Sequence, residues 1–178
     1  VTGIDIDPAR TRRLADIGGR PAPSIADLAK SARCIILAVF NTDQVEDVVE
    51  NTLLPALGGA SGKIVLCMST CDPDRVAALA GRVVPRGIRY LDVPVSGTSD
   101  QVRRGDGVAL IGGDPSITNE VKDVFDALFV RRFHVGKVGD GGRAKLAVNL
   151  ILGLNRLALA EGLVFAERLG LDPAGFLD

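Results

Sequence analysis

Apolar residues along this chain fall into short runs separated by stretches with a helical beat. VTGIDI (residues 1–6) reads as a strand ending in acidic residues. Pro8, at a first helical position, then starts PARTRRLADIGG, which Gly18 and Gly19 close. Ser24 with Asp27 makes a capping-box-like start for a short helix. ARCIILAVF is apolar on both faces, the pattern of a strand buried in a parallel sheet. NTDQVEDVVENTLLPAL follows as a helix and KIVLCMST as a second buried strand. Asp72 and Pro73 then form the cap and first turn of DPDRVAALAGRVV. GIRYLDVPVSG gives a strand and a loop, GVALIGG a strand, PSITNEVKDVFDALF a helix and RFHVG a last strand. This alternation predicts an α/β fold with a mostly parallel sheet and right-handed crossovers.

The alternation stops at GDGGRAKLAVNLILGLNRLALAEGLVFAERLGL, which predicts one long helix from about Gly142 to Leu169. Residues 1–141 are therefore expected to form one domain, and residues 142–178 to begin a second, all-α one. Lys145 lies in the first turns of that helix, where the macrodipole already places partial positive charge. Asn149, four residues on, shares its face. A helix this apolar is expected to be buried on most sides, so that Lys145 faces a confined site. The alternative is a lysine that snorkels to water along its stem. Ligands of such sheets bind outside the carboxyl ends of strands. Those ends carry Asp5, the segment Val39-Phe40-Asn41, Ser69-Thr70 and the PVSG loop, all on one edge.

Composition narrows the picture further. With 178 residues, 47% of them hydrophobic and a formal net charge of -1, the chain can build a core. That charge argues against nucleic acid or an anionic membrane as partner. Asn155, Arg156, Glu161 and Glu167 interrupt the apolar helix and argue against a membrane span. Cys34, Cys67 and Cys71 show no paired spacing and read as reduced core thiols; with one histidine, no metal site is expected. No leader pattern appears, so a cytoplasmic protein is expected.

Taken in order, MSTCDP, LDVPVSGTSDQVRRGDG, IGGDP, VGKVGDGGRAKLAVNL, LAEG and GLDP resemble the motifs of the β-hydroxyacid dehydrogenase family, which includes 3-hydroxyisobutyrate dehydrogenase, tartronate semialdehyde reductase and L-threonate dehydrogenase. The resemblance implies a Rossmann-like domain, a long interdomain helix into an all-α domain, and NAD(P)-dependent interconversion of a small 3-hydroxy acid and its oxo acid or semialdehyde. It further implies a homo-oligomer. By the same resemblance Lys145 is the catalytic general acid/base and Asn149 its substrate-contacting neighbour. Ser96 and Gly97 belong to the substrate-carboxylate loop, with Thr98 where the family has a third glycine. Thr70 lies near the nicotinamide, and Val39, Phe40 and Gln44 contact the cofactor. Backbone N–H groups of a Ser-Gly turn can hold a carboxylate, and burial lowers a lysine from its ordinary pKa of about 10.4. Asp5 is placed to accept from both ribose hydroxyls, which favours NAD over NADP, with Asp7 left as a helix cap.

Measured against that family, the first strand and its GxGxxG loop are expected to be missing ahead of Val1, leaving a gap or a rearranged sheet. Asp106-Gly107 also stands where the family often has Thr-Leu. A non-catalytic or inactive fragment that keeps the fold is the main alternative. A Rossmann-like module for another nucleotide or for S-adenosylmethionine, and a purely structural protein, are the others.

Overall fold

The computed structural model describes residues 1–58 and 62–176, whose strands form two sheets. The small one pairs β1 (Thr2–Gly3) with β2 (Arg20–Pro21) in parallel, across α1 (Pro8–Asp16). Asp7 caps α1, its carboxylate accepting the Ala9 N–H at 2.8 Å, with Pro8 at the first helical position. The strand expected over residues 1–6 is thus cut to two residues. β2, too short and polar to show a periodicity, was not anticipated.

In the main sheet, β3 (Cys34–Leu37), β4 (Ile64–Cys67) and β5 (Arg89–Asp92) run parallel, side by side. The chain passes from β5 into β6 (Val95–Ser96), and both pair antiparallel with β7 (Val108–Gly112). β8 (Arg131–Gly136) lies parallel to β7. The expected α/β, mostly parallel sheet is present, with its last two strands running against the first three. The β1–β2 pair stands apart from it, and β3 has β4 as its only strand partner among the described residues.

Alternate residues of each strand feed two cores. On one face Ile35, Leu37, Val65, Cys67 and Tyr90 pack with Val45, Val49, Leu53, Val76 and Leu79 from the helices. These come from α3 (Thr42–Asp47), the stretch Val48–Leu53 and α5 (Pro73–Val83), joined by Ala29 of α2 (Ile25–Ser31) and Leu54 of α4 (Leu54–Leu57). On the other face Ile64, Leu66, Leu91 and Ile111 pack with residues of α7 (Pro115–Glu120) and α8 (Lys122–Leu128), Phe125 being fully buried. β3 departs from the doubly buried pattern, because Ile36, on the side away from the first core, remains 43% exposed. Between β6 and β7 lies the short α6 (Ser99–Arg103).

Two helices differ from their sequence pattern. α3 and α4 are joined by a π-helical stretch, Val48–Leu53, in which the Leu54 N–H reaches back to Val49. Pro55 explains it: proline offers no N–H and its ring clashes with the carbonyl four residues back, and a wider turn relieves that clash. The helix expected over residues 115–129 breaks at Val121, whose backbone (φ -109, ψ 30) leaves the helical region. α9 (Asp140–Arg168) starts two residues before the expected Gly142. Its burial is a correction. Of its residues only Gly141, Gly142, Lys145 and Ala166 are buried, while Leu146, Leu150, Ile151, Leu154 and Leu157 are exposed. The apolar composition of α9 is therefore not matched by cover from the described residues.

Candidate functional site

The carboxyl ends of β3 and β4 are laced together by one hydroxyl. Ser69 Oγ accepts the Val39 N–H at 2.9 Å and donates to the Val39 carbonyl at 2.7 Å. Beyond them the Phe40 N–H donates to Gln44 Oε1 at 2.8 Å, and Asn41 caps α3. Phe40 itself is 90% exposed. Ala38, Val39, Phe40, Met68, Ser69 and Thr70 line a groove of about 430 Å³, and Arg10 closes its far side. Arg10 in turn sits 3.8 Å from the Asp5 carboxylate. Of the expected cofactor residues, Val39, Phe40 and Thr70 share the groove. Asp5 lies outside it, near Arg10, and lines a separate groove with Ile4, Pro8 and Thr11, while Gln44 accepts the Phe40 N–H. Asp5 lies two residues past β1 rather than at its end. Its Oδ1 accepts the Asp7 N–H at 2.9 Å and its own N–H donates to Thr11 Oγ1 at 3.1 Å. Oδ2, 3.8 Å from Arg10, keeps accepting capacity.

At the end of β5 lies a second group of residues. The side chain of Asp92 is buried, and its carboxylate accepts the Gly142 N–H at 2.8 Å from the first turn of α9. The N-cap of that helix, Gly139, has no side chain to cap with, so a strand residue does it instead. Burial raises the Asp92 pKa, while the N–H groups of Gly142 and Gly139 pull the other way. From this clamp α9 runs on to Lys145, which is 9% exposed and whose pKa burial holds below the ordinary lysine range. Asn149, one turn further, is exposed, so the structure buries the lysine and leaves its i+4 partner out in solvent.

From Asp92 the chain climbs through Pro94 to the loop. Ser96 pairs with Val108 in register and is half-buried. Gly97 adopts φ 132, a conformation that favours glycine, and Thr98 begins α6. The Thr98 N–H donates to Gln101 Oε1 at 2.7 Å and its hydroxyl accepts the Gln101 N–H at 3.2 Å. Thr98 is therefore occupied as a helix cap, which leaves Ser96 and Gly97 as the less committed members of the loop.

Sequence reasoning placed Ser69 at a strand end without its bond to Val39, and missed Asp92 and Arg10. A charged residue inside the apolar run IRYLDV was the available signal for Asp92, since a buried carboxylate needs a partner. The donor set fits a nicotinamide dinucleotide: an acceptor at Asp5 suits ribose hydroxyls, and the apolar wall of Val39 and Phe40 suits a planar base. Arg10 adds a cation beside Asp5, which tempers the preference for NAD over NADP. No group of three His, Cys, Asp or Glu that could hold a metal occurs among the described residues.

A family model described as the NAD binding domain of 6-phosphogluconate dehydrogenase matches residues 1–136. One described as NAD-binding of NADP-dependent 3-hydroxyisobutyrate dehydrogenase matches residues 139–178. The chain is 29% identical over its whole length to L-threonate dehydrogenase of Cupriavidus necator, covering 60% of it. It is 33% identical over 90% of its length to 2-hydroxy-3-oxopropionate reductase of Escherichia coli, covering 55% of that protein. Among solved structures, Mycobacterium tuberculosis 3-hydroxyisobutyrate dehydrogenase with L-serine superposes with a TM-score of 0.87 at 26% identity, over 97% of this chain and 58% of that one. The chain thus spans rather more than half the length of these relatives.

Proposed function

Because the chain belongs to the β-hydroxyacid dehydrogenase family, we propose that it is the dinucleotide-binding part, with the start of the helical part, of an oxidoreductase acting on a small 3-hydroxy acid. Bound NAD(P) supplies the two-electron chemistry. Val39, Phe40 and Thr70 shape the groove for it, and Asp5 receives ribose hydroxyls. Ser96 and the backbone of Gly97 hold the substrate carboxylate. Lys145 takes the proton from the substrate hydroxyl at Nζ in oxidation and returns it in reduction, aided by a pKa lowered toward the working range. Asn149 orients the substrate oxygen once other protein covers it.

The observation that carries this reading is the burial of Lys145 on a helix whose start Asp92 clamps to the strand leading into the Ser96 loop. By length and composition, α9 could also cross a membrane. Its polar interruptions and its docked first turn suit instead a helix that a further helical domain, beginning at residue 142, or a second subunit covers.

The test separates binding from chemistry. In the full-length gene product, Lys145→Ala is expected to lower turnover by about 10²–10⁴-fold. NADH affinity, read by fluorescence titration, should stay within about twofold of the parent. Turnover that survives the substitution across the pH range would leave Lys145 as a snorkelling surface residue.

A further inference from the structure

Two short segments, residues 39–42 and 69–72, leave the ends of β3 and β4 and run side by side. Backbone pairing of the two strands ends at Leu37 and Cys67, with the Met68 N–H donating to the Leu37 carbonyl at 2.8 Å. Beyond that point side chains supply the rungs. Ser69 Oγ takes both backbone groups of Val39, at 2.9 and 2.7 Å, and Thr42 Oγ1 accepts the Asp72 N–H at 3.0 Å. Each tie joins residues 30 apart in sequence, so the segments lie in matched register. The residues that tie are buried, Ser69 at 5% exposed and Thr42 at 9%. Between the ties Phe40, Asn41 and Thr70 are exposed, and Phe40 and Thr70 line the groove. Since β3 has β4 as its only strand partner among the described residues, these two hydroxyls are what join its exit to the rest of the groove.

We propose that Ser69 and Thr42 are positioning residues for the dinucleotide, together setting how far Thr70 stands from the Val39–Phe40 wall. A hydroxyl carries one proton. That of Ser69 is spent on the Val39 carbonyl, so Ser69 has no donor left for a ligand and acts through Val39. Thr42 acts through the backbone of Asp72, the residue that also caps α5. With both rungs in place, Thr70 and the Val39–Phe40 wall are held at one spacing. With either rung lost, the two segments slide against each other, and the Thr70 hydroxyl leaves its alignment with the nicotinamide end of the ligand. The identity of the ligand rests on the dehydrogenase reading; the lacing of the two segments does not.

The test uses the full-length gene product. NADH and NADPH affinities are read by fluorescence titration, and amide hydrogen exchange at Val39 and Asp72 is read by NMR without cofactor. Ser69→Ala is expected to speed exchange at Val39 about tenfold, and Thr42→Val to do the same at Asp72. Each should weaken binding of the preferred cofactor about five- to tenfold, at a temperature where the variant is fully folded. Thr42→Ser keeps a hydroxyl and should restore both the exchange protection and the affinity. A folded Ser69→Ala or Thr42→Val that exchanges faster and binds cofactor like the parent overturns the proposal, because the ties then serve stability alone. Thr42→Ser that regains protection at Asp72 and still binds as weakly as Thr42→Val overturns it too. A parent that binds neither NADH nor NADPH overturns the dehydrogenase reading and with it the role for a dinucleotide, while the exchange at Val39 and Asp72 still reports the lacing.

Discussion

At the start of α9 a single carboxylate holds a helix that has no capping side chain of its own. Asp92 is buried and its folded pKa is raised, chiefly by burial. The unfolded chain gives up that proton near the ordinary value of about 3.9, the folded chain only at higher pH. As pH rises through this window the unfolded state binds fewer protons than the folded one, so stability falls and is not regained above it. Asp92→Asn removes the titration and keeps an acceptor for Gly142. The melting temperature of the Asn variant relative to the parent should therefore climb as pH rises above about 4. Parallel melting curves across that range would show that the carboxyl does not titrate with folding. Asp92→Ala, which strands the buried Gly142 N–H, should cost about 1–3 kcal/mol. Lys145 could be singled out from sequence because its oddity is local, a cation in the first turns of an apolar helix. The role of Asp92 was not legible, since its partner lies 50 residues away.

Helix and strand meet closely at Gly141, where an added Cβ would lie 2.7 Å from the Leu110 carbonyl oxygen and 2.8 Å from that of Asp92. Both obstacles are backbone and cannot rotate away. Gly141→Ala should destabilise the protein by about 1–3 kcal/mol, as overpacking does, and lift α9 from β5 and β7. Gly153, in the same helix with nothing within 4 Å, is the control. Gly153→Ala should be neutral or stabilising by up to about 1 kcal/mol, from helix propensity alone. Equal losses in denaturant melts of the two variants would refute the close approach. The caps at Asp7, Ser24, Asn41, Asp72 and Thr98 all fall at helix starts, because capping is a matter of neighbours in sequence. Less visible were the π-turn that admits Pro55, the break at Val121 and the two-residue β2. Each depends on packing against distant chain or is too short for a period to register.

For the whole molecule, the alternation of strands and helices was enough to give the class, whereas the β1–β2 pair set apart from the main sheet was not anticipated. What periodicity could not give was the cover of α9, because composition reports that a surface is apolar and not what lies against it. Leu150, Leu154 and Leu157, spaced along one side of α9, are each more than half exposed. Surfaces of this kind mark protein contacts. Sedimentation velocity of the chain should show dimers or larger species at micromolar concentration, with Leu150→Lys and Leu154→Lys together shifting it toward monomer. A monomer at every concentration would show that α9 needs no partner. The two walls of the groove also differ in kind. Thr70 and Val39 follow strands of the main sheet, β4 inside it and β3 at its edge, whereas Arg10 belongs to residues 1–22, where β1 and β2 have two residues each and α1 buries none of its own. So few buried side chains should let this unit open at a smaller free energy than the main sheet. One wall is thus preorganised and the other is recruited, so a dinucleotide binding here spends part of its affinity on ordering the N-terminal wall, and its residence time is set by how often residues 1–22 let go.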